Sequence, residues 1–150
     1  SFTFSKPHLP GYDYSFSGLK TSFLYTLRDM MREQGTEQVE QLLERNPGLR
    51  EDLCASLQHT VIDILLSPLK RAARQLHISR IAVAGGVSAN SGLRNALIQL
   101  GRKQNWEVFI PPFSFTTDNA AMIGSAAYFR LMKGEYASLS LNADPSLRLV

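Results

Sequence analysis

Cysteine is almost missing from this sequence, since Cys54 is the only one in 150 residues. An internal disulfide is therefore impossible, and a zinc cluster built from several thiolates is excluded. The apolar neighbours Leu53 and Ala55 predict that Cys54 is a core residue and not a catalytic thiol. Long apolar runs are also missing, and the first residues lack the charged and apolar regions of a secretory signal. We therefore expect a cytoplasmic protein without a membrane segment.

A strong charge of one sign is absent as well. Sixteen Lys and Arg residues against thirteen Asp and Glu residues leave +3, which is compatible with nucleic-acid binding but does not demonstrate it. The three histidines, His8, His59 and His77, form no H-E-x-x-H pair and no Ser-His-Asp order, so protease chemistry has no support. The apolar content of 44% suffices for one hydrophobic core. No initiator Met is present, and we expect a part of a longer protein.

The hydrophobic periodicity predicts an α/β protein. After a short strand over 1–4, helices are expected over 19–34, 37–45 and 49–76. A buried strand over 80–84, a helix capped by Ser88, a strand over 106–110 and a helix over 119–132 then follow. The alternation of strands and helices favours a parallel or mixed sheet, with a helical segment of about 19–76 inserted ahead of an α/β part of about 79–133.

The first candidate site is the glycine pair Gly85-Gly86, where a strand ends and a helix begins. Two glycines allow a ligand to approach the backbone closely, and the free amides of the next helix attract a phosphate. The alternative is a tight turn with Ser88 as a helix cap. Asn90 follows in the first helical turn, where its amide either binds a ribose or phosphate or supports the cap.

The second candidate is Asp118, again at the start of a helix. An Asp in this position is commonly a cap that interacts with the helix dipole. The functional alternative is a metal ligand beside nucleotide phosphates. One carboxylate is too few for a metal site, so further protein ligands have to come from elsewhere. We expect Asp118 and the glycine pair to face one cleft, because both follow strands that should be neighbours in one sheet.

A third candidate is Lys20, in a segment that resembles a phosphate-binding P-loop. The comparison fails, because that loop requires a glycine directly before the lysine and another five residues earlier. Lys20 is either a solvated residue on a core-anchored helix or a contact to phosphate or tRNA. The same two alternatives, a solvated face or a tRNA contact, hold for a basic cluster: Lys70, Arg71, Arg74 and Arg80.

Three motifs stand in the order and spacing of one family: SFSGLKT at 15–21, GGVSAN at 85–90 and TDNAAMI at 117–123. In these motifs the chain resembles the tRNA adenosine threonylcarbamoyltransferases of the TsaD family, formerly called glycoproteases. The resemblance implies part of the second domain of an actin-like ATPase fold (the ASKHA fold). It also implies that Gly85, Gly86 and Asn90 bind an adenine nucleotide, either threonylcarbamoyl-adenylate or ATP.

The family's activity implies a divalent metal ion, iron or zinc, with Asp118 as one ligand and two histidines outside this chain as the others. The reaction moves a threonylcarbamoyl group from threonylcarbamoyl-adenylate to the amine of the adenosine next to the anticodon, in tRNAs that read codons starting with A. The implied partners are tRNA and, in bacteria, a paralogous TsaB-like subunit and a TsaE-like ATPase. The alternatives are a non-catalytic nucleotide-binding scaffold and the metalloprotease of the older family label. Alone, the chain is expected to be inactive and to self-associate.

Overall fold

The computed structural model describes residues 2–7 and 9–146 of the chain. Five helices are present there, namely α1 (Leu19–Glu33), α2 (Val39–Arg45), α3 (Leu49–Gln75), α4 (Ser91–Gln104) and α5 (Ala120–Met132). Two short strands are β1 (Arg80–Ala82) and β2 (Glu107–Phe109), and single 3-10 turns lie at Gly86–Ala89 and Phe113–Phe115. The helices predicted over these regions are confirmed, with ends that shift by a few residues.

The strand predicted over 1–4 is wrong in its described part, because residues 2–4 have no regular structure. Phe4 is instead a buried core residue, and its ring lies 5.3 Å from the ring of Phe23. The alternation of aromatic and polar residues thus reflects burial against α1. A strand would also need a neighbouring strand to receive its backbone hydrogen bonds.

A first core cluster joins α1, α2 and the part of α3 up to Ile64. Leu19 of α1, the fully buried Leu42 of α2 and Leu53 of α3 meet there, together with Phe4. Full burial of a leucine side chain contributes about 1.5–3 kcal/mol to folding, so Leu42 holds the short α2 in place although seven residues would be marginal as an isolated helix. This cluster is the core of the helical part of the chain.

A second cluster joins the end of α3 to the sheet and α4. Its buried members are Ala73 of α3, Ile81 of β1 and Leu97 of α4. α3 continues through Pro68 and contributes to both clusters, so the packing does not test the proposed division at about 76–79. α4 approaches β2 closely at Gly101, where an added Cβ would lie only 2.4 Å from Val108 Cγ2.

The two strands pair in parallel, with Ile81 opposite Val108. They are connected through α4, which forms a βαβ unit. The prediction that these strands are neighbours is therefore confirmed, as is the α/β class. Because parallel strands end at the same edge of a sheet, the glycine pair after β1 and the segment after β2 leave the sheet on the same side.

α5 differs from the other helices because none of its residues is buried. Ile123, Phe129 and Met132 are each more than half exposed. In the part of the chain that the structure describes, no helix combines the length and the apolar character needed to cross a membrane.

The prediction that Cys54 is a core residue is wrong, because its side chain is exposed. Leu53 already occupies the core face of α3, and consecutive residues of a helix point in directions about 100° apart. Apolar neighbours in sequence therefore do not imply burial on a helix.

Candidate functional site

The turn after β1, here called the glycine turn, comprises residues 85–90. Gly85 has φ 89° and ψ 167°, a backbone region that is essentially restricted to glycine. A Cβ added at Gly85 or at Gly86 would meet no atom within 4 Å. The backbone conformation thus requires glycine at position 85. At position 86, the absence of a side chain leaves open space beside the backbone. The turn presents its main chain to an approaching ligand.

Asn90, and not Ser88, caps α4. Asn90 Oδ1 accepts a hydrogen bond of 2.9 Å from the backbone N–H of Leu93. The prediction for Ser88 is wrong because Gly86–Ala89 forms a 3-10 turn that postpones the start of the helix to Ser91. Of the two alternatives for Asn90, the cap is therefore confirmed, and it uses the side-chain oxygen. Its Nδ2 group makes no hydrogen bond with the described residues, and Asn90 as a whole is exposed, so this amide is available to a ligand.

Ser88 is instead a buried residue of the glycine turn. Its side chain is 1% exposed, and its hydroxyl has no hydrogen-bond partner among the described residues. A buried hydroxyl without a partner typically costs about 1–3 kcal/mol. Ser88 borders an apolar cavity of about 210 Å³ that Tyr14 and Ala84 also line. A second apolar cavity, of about 240 Å³, lies beside Asn90 and Val87.

Asp118 lies just before α5, but it does not cap the helix. Asn119 is the cap, and its Oδ1 accepts a hydrogen bond of 2.9 Å from the backbone N–H of Met122. The capping alternative for Asp118 is therefore wrong, because Asn119 occupies the cap position and Asp118 accepts no hydrogen bond from the described helix amides. The Asp118 side chain is exposed and enters none of the hydrogen bonds or ion pairs found among the described residues. Its convergence with the glycine turn stays a prediction.

Arg94 of α4 links the two segments, and the sequence interpretation missed it. Its Nε donates to the carbonyl of Ser88 at 2.6 Å, and its Nη2 donates to the carbonyl of Pro111 at 2.7 Å. Its guanidinium carbon also lies 4.0 Å from the ring centroid of Phe113. Its spacing of four residues from the cap Asn90 was the one local signal, and it does not reveal which carbonyls Arg94 binds.

Lys20 is exposed in the first turn of α1, next to Leu19 of the first core cluster. No described contact brings it to the glycine turn, which borders the second cluster. Within the basic cluster, Arg71 donates from Nε to the carbonyl of Gly11 at 3.1 Å, and Arg80 pairs with Glu107 at 3.0 Å. The Arg80 side chain is nonetheless 80% exposed, so these contacts lie at the surface and leave both alternatives open.

The residues that the structure describes hold no group of three His, Cys, Asp or Glu side chains that could bind a metal ion together. Asp118 is a single carboxylate, and His8 lies outside the described residues. Residues 2–7 and 9–146 therefore do not form a complete metal site on their own.

The glycine turn, the Asn90 cap and Asp118 all fall within residues 1–125, which match the model of the family described as "TsaD: tRNA N6-adenosine threonylcarbamoyltransferase". The chain belongs to the TsaD family. Three curated TsaD relatives carry the name tRNA N6-adenosine threonylcarbamoyltransferase. The protein of Porphyromonas gingivalis is 52% identical over 93% of this chain, that of Phocaeicola vulgatus 50% over 93%, and that of Riemerella anatipestifer 48% over 99%.

The matched region is only part of each TsaD relative. It covers 38%, 39% and 41% of the three proteins in the same order, so the chain spans about two fifths of their length. The resemblance inferred from the three motifs is thereby confirmed at the level of the family. These comparisons show the family and assign no role to any individual site residue.

Proposed function

We propose that this chain supplies the nucleotide-binding wall of a transferase that moves a threonylcarbamoyl group to the N6 amine of an adenosine in tRNA. The observation that carries the proposal is the open glycine turn at Gly85 and Gly86, followed by a helix cap with a free amide at Asn90, in a chain that matches the family over 1–125. An anion placed at this turn faces the amino end of α4, where helix amides favour negative charge.

The proposed ligand of the glycine turn is an adenine nucleotide, with threonylcarbamoyl-adenylate as the substrate form. Gly86 leaves room for a phosphate beside the backbone, and Asn90 Nδ2 can donate to a phosphate or ribose oxygen. The buried hydroxyl of Ser88, which has no partner among the described residues, borders one apolar cavity, and Asn90 borders a second. These features fit a ligand that combines a charged phosphate with a flat apolar base.

In the proposed transfer, the N6 amine of the tRNA adenosine attacks the carbamoyl carbon of the adenylate. The bond from that carbon to the phosphate oxygen breaks, a new C–N bond forms, and the amine loses a proton. AMP leaves with the electron pair of the broken bond. The glycine turn would hold the AMP portion throughout, so that the carbonyl keeps one orientation while the leaving group departs.

Asp118 is proposed as one ligand of a divalent ion, iron or zinc, whose remaining protein ligands lie outside the described residues. The chemistry fits in one respect, because the Asp118 carboxylate is exposed and is not used as a helix cap. When bound, such an ion supplies positive charge near phosphoryl and carbonyl oxygens. The contribution of this chain would be the carboxylate itself and the segment that positions it.

The finer fold proposal is an actin-like ATPase fold of which this chain forms part of the second domain. The βαβ unit with an open glycine turn after its first strand supports it. Exposed Lys20 remains a proposed contact to phosphate or tRNA. TsaB-like and TsaE-like proteins remain proposed partners, and none of the described contacts bears on them.

Self-association is proposed to involve α5, which contains exposed Ile123, Phe129 and Met132 and no buried residue. An apolar surface of this kind is stabilised when a second copy covers it. Sedimentation velocity of the 150-residue chain should show a dimer or a larger species that dissociates in the Phe129→Asp variant. The matched control is Tyr136→Asp, an exposed aromatic residue beyond the end of α5. A monomer at all concentrations would contradict the proposal.

The test of the transferase function uses the full-length protein that carries this chain. It is incubated with threonylcarbamoyl-adenylate, divalent metal and unmodified tRNA, and modified adenosine is measured by mass spectrometry after digestion of the tRNA. Wild type should form product, and Gly86→Ala should form much less while melting at the same temperature. Nucleotide binding without any product would favour the scaffold alternative. Cleavage of a glycoprotein by the same preparation would favour the protease alternative.

A further inference from the structure

Arg94 contacts two chain segments that follow different strands of the sheet. The carbonyl of Ser88 belongs to the glycine turn after β1, whereas the carbonyl of Pro111 and the ring of Phe113 belong to the segment after β2. The planar guanidinium donates to both carbonyls at once, and Phe113 lies against it. Arg94 is therefore a bridge between the two segments that carry the candidate site residues.

The segment between β2 and α5 connects the residues that Arg94 contacts to Asp118. Phe113 and Thr116 are joined by a 3-10 turn, in which Thr116 N and Thr116 Oγ1 both donate to the carbonyl of Phe113, at 3.2 and 2.8 Å. Thr116 is only 3% exposed, and Asp118 follows two residues later. Two hydrogen bonds thus tie Phe113 to Thr116, two residues before Asp118.

Apart from the buried Thr116, packing gives this segment little support. The side chain of Phe113 is 61% exposed, Phe115 is also exposed, and α5 has no buried residue. The two hydrogen bonds from Arg94 involve a charged donor, and such bonds are stronger than those between neutral groups. Among the described contacts, those of Arg94 are accordingly the main tie between the glycine turn and residues 111–116.

We propose that Arg94 is a positioning residue that keeps residues 111–116, and through them Asp118, in a fixed relation to the glycine turn. The effect that we expect on catalysis rests on the proposed function. Its structural part, the restraint on residues 111–116, is independent of which reaction the protein performs.

The variants are Arg94→Ala, which removes all three contacts, and Arg94→Lys, which keeps the charge but cannot donate to both carbonyls as the planar fork does. The matched control is Arg102→Ala on the same helix, where the arginine is exposed. All are made in the full-length protein and measured well below their melting temperatures.

The first readout is amide hydrogen exchange, followed by mass spectrometry. The amides of Phe115 and Thr116 donate to backbone carbonyls of the same segment and should exchange faster in Arg94→Ala, less so in Arg94→Lys, and unchanged in Arg102→Ala. Unchanged exchange in Arg94→Ala would overturn the proposed restraint.

The second readout is the kinetics of threonylcarbamoyl transfer to tRNA. Misplacement of a reacting group lowers the turnover number, so Arg94→Ala should lower kcat by about 10-fold to 100-fold. KM for tRNA should stay close to wild type, and Arg94→Lys should recover part of the loss. If the amides of Arg94→Ala exchange faster but its kcat is unchanged, Arg94 has only a structural role. If the wild-type protein transfers no threonylcarbamoyl group, the proposed function is wrong. The amide exchange measurement would still test whether Arg94 restrains residues 111–116.

Discussion

Asn90 combines two tasks that substitutions can separate. Its Oδ1 caps α4 through the 2.9 Å hydrogen bond from Leu93 N, while its Nδ2 is the proposed donor to the nucleotide. Asn90→Ala removes both groups. Asn90→Ser keeps a capping oxygen but removes the amide, since Ser and Asn are about equally good caps. The pair of variants therefore separates the capping role from the ligand-binding role.

The expected magnitudes follow from these contacts. Loss of the cap in Asn90→Ala should cost about 1 kcal/mol of stability, which lowers the melting temperature of a domain of this size by about 3 °C. Asn90→Ser should melt within about 1 °C of wild type. Both variants should bind the nucleotide about 10-fold to 100-fold more weakly, because a hydrogen bond to a charged group contributes about 1.5–3 kcal/mol.

The assays are differential scanning calorimetry for stability and isothermal titration calorimetry with AMP for affinity, both on the full-length protein. Asn90→Asp is a useful third variant, because it keeps the cap but places a carboxylate beside the phosphate and should bind most weakly of all. If Asn90→Ser binds AMP as tightly as wild type, Asn90 is only a helix cap and the proposed contact is wrong. If Asn90→Ala melts like wild type, the cap seen in the structure contributes nothing to stability.

The remaining predictions concern the glycines and the second motif. Gly86→Ala should melt like wild type but weaken AMP binding in the same titration, because the added methyl meets only open space that the ligand would use. Gly85→Ala should lose about 1–3 kcal/mol in urea unfolding, since alanine does not tolerate its backbone angles. Asn119→Ala should lose about 1 kcal/mol of stability, because Asn119 caps α5. Asp118→Ala should unfold like wild type, but it should not transfer the threonylcarbamoyl group and should retain no metal in elemental analysis. Gly101→Ala should cost about 1–3 kcal/mol in urea unfolding through the collision with β2, and an unchanged midpoint would mean that α4 shifts freely.

The positions of the helices and of both sheet strands were predictable because they depend on local periodicity. Apolar side chains at helical spacing predicted α1, and the short apolar run before Gly85 predicted β1. The failure at residues 2–4 has a different origin, since a strand requires a partner that local sequence does not reveal.

The helix caps could be placed only to within a few residues. Ser88 and Asn90 are both good caps, as are Asp118 and Asn119, so composition does not decide between the members of each pair. The 3-10 turn at Gly86–Ala89 decided the first case in favour of Asn90, and the extended backbone at Asn119 decided the second. Of the two alternatives for Asp118, this choice removes the helix cap and leaves the proposed metal ligand.

The sequence by itself determined the α/β class, the location of the three motifs and the resemblance to the TsaD family, because these properties reside in residue types and their spacing. Only the tertiary structure decided the exposure of Cys54 and the role of Arg94. Arg94 binds carbonyls 6 and 17 residues away, and any backbone can offer a carbonyl. Which carbonyls come within reach depends on the parallel pairing of β1 with β2, which brings together segments that are distant in the sequence.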